Sequence, residues 1–181
     1  MALDITLAEF KNKVGIGTRA NRYSVTFSIP AASTGSGGTI TAEASALTIP
    51  AADLTPIPVP FRARILKIPG DRKYGPWEIT MYDSPIAFGS SSSYIWQALH
   101  NWSNKINNHV DNTTNWGPDD QNYVRNWKVE HWDLNGTRKL KEMTLHNCWP
   151  SMVGPVALAS GEMDTLVQFG CVLEYEYLTY T

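Results

Sequence analysis

The sequence predicts a mainly β chain: an antiparallel sandwich or barrel with one flanking α-helix and a short N-terminal helix. Three observations predict it. Several short runs alternate apolar and polar residues, most clearly Tyr23, Val25, Phe27 and Ile29 against Arg22, Ser24, Thr26 and Ser28. Asn135-Gly136 lies between two such runs, a strong hairpin signal because both residue types tolerate positive φ. Two stretches carry a helical period instead.

In chain order, Leu3, Leu7, Phe10 and Val14 share one helical face, which places a docking helix within residues 1–16, with Asp4 as cap and Gly15 as stop. A helix that short needs a surface to dock on. Strand Tyr23–Ile29 follows, then a Gly/Ser-rich loop, then a second strand between Thr39 and Leu47. Residues 48–60 are proline-rich and are expected as an exposed arm or edge, because proline cannot donate in a central ladder. Residues 61–68 read as a strand, with Leu66 and Ile68 on one face and Phe61 and Ile65 on the other. Gly70 to Pro76 reads as a turn, and in the next strand Trp77, Ile79 and Met81 alternate with Glu78, Thr80 and Tyr82. Residues 92–107 hold the clearest helix, with Ile95, Leu99, Trp102 and Ile106 as its stripe and Ser92 or Ser93 as its cap. Residues 124–134 and 137–148 form the arms of a hairpin, which Trp149-Pro150 ends. A short strand at 153–159 precedes a last one with Val167, Phe169, Cys171, Leu173, Tyr175 and Tyr177 on one face. The total is about seven strands and two helices in one domain spanning 1–181.

The composition narrows the function classes. At 181 residues the chain can bury a sizeable core, and 43% apolar against 18% charged residues makes it globular. The net charge is −2 and there is no basic block, so tight nucleic-acid binding lacks its cations. There is no secretory signal pattern and no apolar run long enough to span a bilayer. Cys148 and Cys171 are too few for a disulfide framework and read as reduced, buried thiols.

Catalytic and metal patterns are weak. His131 and Asp133 share a strand face by alternation, while Glu130 faces away, and no Gly-x-Ser-x-Gly nucleophile motif accompanies them. His146 and Cys148 share a face and offer two metal ligands where a structural zinc needs four. Gly35-Ser36-Gly37-Gly38 lacks the Lys-Ser/Thr ending of a phosphate loop. No enzyme, metal or cofactor is expected; a small hydrolase or carbohydrate-binding sandwich stands as the alternative from another class. A chain this rich in strands must manage its sheet edges. The helix at 1–16 and the arm at 48–60 look made to lie on something, and identical neighbours would supply it.

Several motifs together resemble the tail tube proteins of contractile-tailed, T-even-type bacteriophages. They are Arg19-x-Asn21-x-Tyr23-x-Val25; Ile57-Pro58-Val59-x-Phe61 followed by Arg64, Gly70-Asp71-Arg72 and Trp77; Trp96 in the helix; and Trp149-Pro150-x-x-Val153-Gly154 before a long apolar strand. The resemblance implies hexameric rings whose sheets join into a continuous inner β-barrel. It implies rings stacked into a tube inside a sheath, in a virion tail assembled in the host cytoplasm. It also implies sheath, baseplate and tail-terminator partners, transient non-specific passage of viral DNA, and no membrane partner. The tube of a type VI secretion or related contractile injection system is the alternative within this class. Subunit-interface candidates are Leu7, Phe10, Ile57, Val59, Phe61, Asp71 and Arg72, with Arg72 tying loops from a turn. Glu174 and Glu176, expected together on one strand face, are the lumen candidates, since an acidic wall repels phosphate.

Overall fold

Twelve strands and two helices form among the described residues 6–15, 19–30, 38–42, 44–88, 91–114, 123–161 and 163–181 of the computed structural model. In order they are α1 (Leu7–Gly15), β1 (Tyr23–Ile29), β2 (Gly38–Ala42), β3 (Ala44–Leu47), β4 (Asp53–Phe61), β5 (Arg64–Lys73), β6 (Trp77–Tyr82), β7 (Pro85–Phe88), β8 (Ser91–Tyr94), α2 (Ile95–Ile106), β9 (Arg125–Trp132), β10 (Lys139–Val153), β11 (Gln168–Glu174) and β12 (Tyr177–Tyr180). Every ladder between these strands is antiparallel, which bears out the expected class.

The 15-residue β10 organises the fold. Its first part pairs with β9 and, from Met143 to His146, with β12; its last part, from Trp149 to Val153, pairs with β11. The ladder with β9 shifts register between Leu145 and Cys148, where Asn147 takes φ 55°. A bulge there adds a residue and bends the strand, so β10 leaves one layer (β2-β1-β9-β10-β12) and enters the other (β10-β11-β6-β3). Trp149-Pro150 therefore does not end the arm. Pro150 is buried inside the strand, and residues 154–159 form no further strand.

The core fills the space between the layers because alternation points one face of each strand inward. Val25, Phe27 and Ile29 of β1, Trp127 and Val129 of β9, Trp77, Ile79 and Met81 of β6, and Phe169, Cys171 and Leu173 of β11 are all buried. Trp127 is the centre. Phe27 stacks on it with ring centroids 4.4 Å apart, and Trp77 from the other layer meets it edge-on at 5.9 Å. Burial pushes the thiols of Cys148 and Cys171 up to about 12, so both stay protonated and act as small apolar side chains. Gly154 is needed where β10 meets β11. Its N–H donates to the Gly170 carbonyl oxygen at 2.7 Å, and a Cβ would also stand 2.7 Å from that oxygen.

Helix α2 buries Ile95, Ala98, Leu99 and Trp102, close to the expected stripe. It starts at Ile95, not in the serine run. The N-cap is Tyr94, which makes no side-chain capping bond; Asp83 Oδ1 instead accepts the Trp96 N–H at 3.1 Å. In α1, Thr6 and Glu9 form a reciprocal capping box, with each side chain bonded to the other's backbone N–H. Leu3 and Asp4 lie outside the described residues, as do Gly35, Ser36 and Gly37.

Tertiary pairing overrode the simple reading in two more places. The expected strand between Thr39 and Leu47 is two strands, because β2 pairs with β1 and β3 pairs with β6 in the other layer. The last strand is also two. β11 stops at Glu174, the chain bends at Tyr175 and Glu176, and β12 pairs with β10. Tyr177 is thereby exposed, not part of the buried face.

Candidate assembly surfaces

The proline-rich arm is the first half of a hairpin that, among the described residues, pairs only with itself. Strands β4 and β5 form a separate two-stranded sheet, and nearly all of their residues are exposed. Nine residues of strand reach roughly 30 Å. The expected strand at 61–68 is corrected by this. Phe61 ends β4, Arg62 and Ala63 turn the chain, and Arg64 opens β5.

The register sorts the side chains. Ile57 faces Ile68, Val59 faces Leu66 and Phe61 faces Arg64, which makes one largely apolar face. Pro56, Pro58 and Pro60 fall on the other face, opposite Pro69, Lys67 and Ile65. In a hairpin with a two-residue loop, these alternate positions point their backbone nitrogens away from the partner strand. The missing N–H donors therefore lie along the outer edge of β4, which cannot accept a further strand in register. Whatever docks along that edge meets side chains. At the tip, Arg62 and Ala63 have φ of 44° and 63°. A two-residue hairpin needs that geometry, yet it costs a non-glycine residue about 1–2 kcal/mol.

Gly70-Asp71-Arg72, expected as a turn, lies within β5. The register passes from Leu54 opposite Arg72 to Pro56 opposite Pro69, so Thr55 faces two residues, Gly70 and Asp71. This is a bulge, and it needs a glycine: a Cβ on Gly70 would sit 2.4 Å from the Thr55 carbonyl oxygen. Gly70→Val is expected to re-aim the hairpin at its root. Tube or ring formation seen by negative-stain microscopy should be lost, while thermal unfolding of the isolated chain stays near the wild-type midpoint. Normal assembly of this variant would show that hairpin direction is unimportant.

Helix α1 presents Leu7 and Phe10 at 69% and 56% exposure, a second apolar surface awaiting cover. Glu174 and Glu176 do not share a strand face. Glu174 closes β11, whereas Glu176 sits at the bend and accepts a hydrogen bond from Asn147 Nδ2.

The weak catalytic patterns separate in space. His131 Nε2 contacts the Arg19 carbonyl oxygen at 2.6 Å. Asp133 lies beyond the strand and accepts bonds from the N–H groups of Thr137 and Arg138, closing the Asn135-Gly136 turn, where only Gly136 takes positive φ. The Asn147 bulge breaks the alternation that would place His146 beside Cys148. His146 stacks on Tyr177 at 4.4 Å on the β10–β12 ladder, while Cys148 is buried. Among the described residues no three His, Cys, Asp or Glu gather as a metal site.

The two outer sheet faces differ in charge. On the β9–β10 hairpin, Lys128 pairs with Glu142 at 2.9 Å, and Lys139 pairs with both Glu130 and Glu142. Hydrogen bonds from Lys128 and Lys139 hold the Glu142 carboxyl below its ordinary pKa. The lysines are thus neutralised locally. On the other layer, alternation points Ala46, Glu78, Thr80, Gln168, Gly170, Val172 and Glu174 outward, a face with acids and no base.

The fold is shared with chains of contractile machines. It matches one in the cryo-EM structure of the anti-feeding prophage baseplate with a TM-score of 0.63 at 9% identity, over 91% of this chain and 95% of that one. It matches one in an extracellular contractile injection system, a PVC sheath–tube complex in the extended state, with a TM-score of 0.60 at 13% identity, over 94% and 96%. No protein-family model matches the chain. The tail tube protein of Serratia phage KSP90 is 31% identical over 175 residues, 94% of each chain. The chain therefore belongs to the bacteriophage tail tube proteins: it is a structural subunit of the tail tube and a component of the virion tail.

Proposed function

We propose that six copies join edge to edge into a ring, that rings stack into a hollow tube inside a contractile sheath, and that viral DNA passes along the bore. The chain is a structural part with no enzymatic activity of its own. The observation that carries this reading is the self-paired hairpin, which displays Ile57, Val59, Phe61, Leu66 and Ile68 to solvent outside any core. A monomer gains nothing from such a surface; a neighbour covers it. Leu7 and Phe10 of α1, and Asp71 and Arg72 at the hairpin root, belong to the same subunit interfaces. Among the described residues, β2 and β3 each have one side with no ladder, so joined edges would give the continuous inner barrel. The 6-fold symmetrised baseplate that contains a chain of this fold supports six copies. Sheath, baseplate and tail-terminator proteins are the further partners, with assembly in the host cytoplasm.

The acid-only outer face of β3, β6 and β11 is the lumen wall. Glu174 lies on it, and Glu78 joins it, a residue that alternation along β6 turns away from the core. Glu176, at the bend beside this face, is the weaker candidate. DNA moves fastest along a wall that offers its phosphates no cation. Phage carrying Glu78→Lys with Glu174→Lys is expected to assemble tails of normal length and to eject its genome several-fold more slowly at low salt. Ejection at the wild-type rate from such tails would move the lumen to another face. Negative-stain microscopy of the purified chain with a nucleating baseplate tests the tube itself. Hollow rods are expected; only single small particles would overturn it.

A further inference from the structure

We propose that Asn135-Gly136 is a site of spontaneous deamidation in this chain and that Asp133 is the residue that holds the reaction back.

The chemistry is intrinsic to the dipeptide. The backbone nitrogen of Gly136 loses its proton and attacks Cγ of the Asn135 side chain. A C–N bond forms, the side-chain nitrogen leaves as ammonia, and a cyclic succinimide remains. Water then opens the ring at either carbonyl, giving aspartate or isoaspartate. Glycine has no side chain to hinder the attack. Leu134 to Lys139 are exposed to the water that the reaction consumes. Burial therefore gives Asn135 no protection.

Hydrogen bonds give it instead, and Asp133 makes them. The Gly136 N–H donates to the Asp133 carbonyl oxygen at 3.2 Å, so the attacking nitrogen must first break a bond. The Asp133 carboxylate holds the far side of the loop. Its Oδ1 accepts the N–H of Thr137 at 3.0 Å and of Arg138 at 3.3 Å, and its Oδ2 accepts the Thr137 hydroxyl at 3.4 Å. The Asp133 N–H closes the loop by donating to the Arg138 carbonyl oxygen at 2.9 Å. Residues 134–136 are thus tied at both ends by one residue. The Gly136 amide cannot turn towards the Asn135 side chain while these bonds hold. Charge acts in the same direction. Burial pushes the Asp133 carboxyl up, but the N–H groups of Arg138, Thr137 and Gly136 outweigh it and hold the carboxyl below its ordinary value. It is ionised at neutral pH, and a fixed negative charge beside Gly136 disfavours the amide anion that must attack.

Conversion would act on the β9–β10 hairpin. Isoaspartate routes the backbone through a side-chain carbon and lengthens the loop, and either product adds a negative charge. Trp132 and Lys139 pair at the mouth of the loop, and Lys139 binds both Glu130 and Glu142. The same ladder holds Trp127 in the core. A subunit of a finished virion is not resynthesised, so the rate at this loop sets how long its hairpin stays intact.

The test compares wild type, Asp133→Ala, Asp133→Asn and a free peptide of residues 130–140 in warm, mildly alkaline buffer. Peptide mapping by mass spectrometry follows aspartate and isoaspartate at position 135. Folded wild type is expected to convert at least about tenfold more slowly than the peptide, the order of effect of a hydrogen bond to the nitrogen together with a neighbouring charge. Asp133→Ala is expected to regain most of the peptide's rate. Asp133→Asn keeps an acceptor oxygen without the charge and is expected to fall between wild type and Asp133→Ala, a ranking that mere loosening of the loop would not produce. Where circular dichroism shows Asp133→Ala unfolded, Asp133→Asn decides: a faster rate than wild type upholds the guard and an equal rate overturns it. Wild type that converts as fast as the peptide, or two folded variants as slow as wild type, would also overturn it.

Discussion

Chains in which residues 53–73 are replaced by a short Gly-Ser linker are expected to fold and to remain unassembled. The hairpin contributes no residue to the buried core, and among the described residues its ladder joins no other strand. Its root is bridged independently, because the Trp77 indole bond to Thr48 holds the two ends of the body together. Removal therefore leaves the Phe27–Trp127–Trp77 packing untouched. Circular dichroism and thermal unfolding of the purified chain should stay close to wild type. What goes is a face of five apolar side chains, with Arg62, Arg64, Lys67, Arg72 and Lys73 on the same hairpin, that only a neighbour would cover. Assembly is cooperative in the number of such contacts per ring, so the expected effect on tube formation is all or none rather than graded. Sedimentation and negative-stain microscopy check it. Tubes of normal width and length from the excised chain would show that the hairpin is decoration, and a chain that fails to fold would show that it belongs to the core.

The second large effect concerns stability. Trp127→Ala is expected to destabilise the subunit by about 3–5 kcal/mol, the cost of deleting a fully buried large aromatic and leaving a cavity. Trp127 is buried completely and touches both layers, through the Phe27 stack and the Trp77 edge contact. Against a typical domain stability of about 5–15 kcal/mol, that loss leaves a marginal protein. Trp127→Phe separates volume from polarity. Among the described residues the indole N–H of Trp127 has no hydrogen-bond partner, so its removal forfeits no bond there and relieves an unsatisfied donor. This substitution should cost only about 1–2 kcal/mol, mostly from lost volume. Urea unfolding of the two variants beside wild type checks both. Equal losses would mean that the indole nitrogen makes a bond through ordered water.

Three places where sequence reasoning failed share one cause. Alternation is reliable only while a strand stays in register, because one extra residue exchanges its faces. At Asn147 a bulge separates His146 from Cys148, which counting by two had put together. At Gly70 a bulge turns an apparent turn motif into a strand whose glycine is needed for close approach to Thr55. At Tyr175 and Glu176 a bend splits one apolar run into β11 and β12, so Glu174 and Glu176 part company. In each case the local residues permit both outcomes, and the partner strand chooses. Glu78, by contrast, was legible throughout, since β6 keeps its alternation; the acidic face that includes it needed β11 set beside β6.

By itself the sequence determined the class: the alternating strands, the helix stripe from Ile95 to Trp102, the hairpin about Asn135-Gly136 and the proline arm that cannot enter a sheet interior. These follow from side-chain period and backbone chemistry, which act over a few residues. Only the tertiary structure decided which strands pair and where β10 crosses between layers. Those depend on register between segments distant in the chain, and register is set by how two surfaces fit, not by either surface alone.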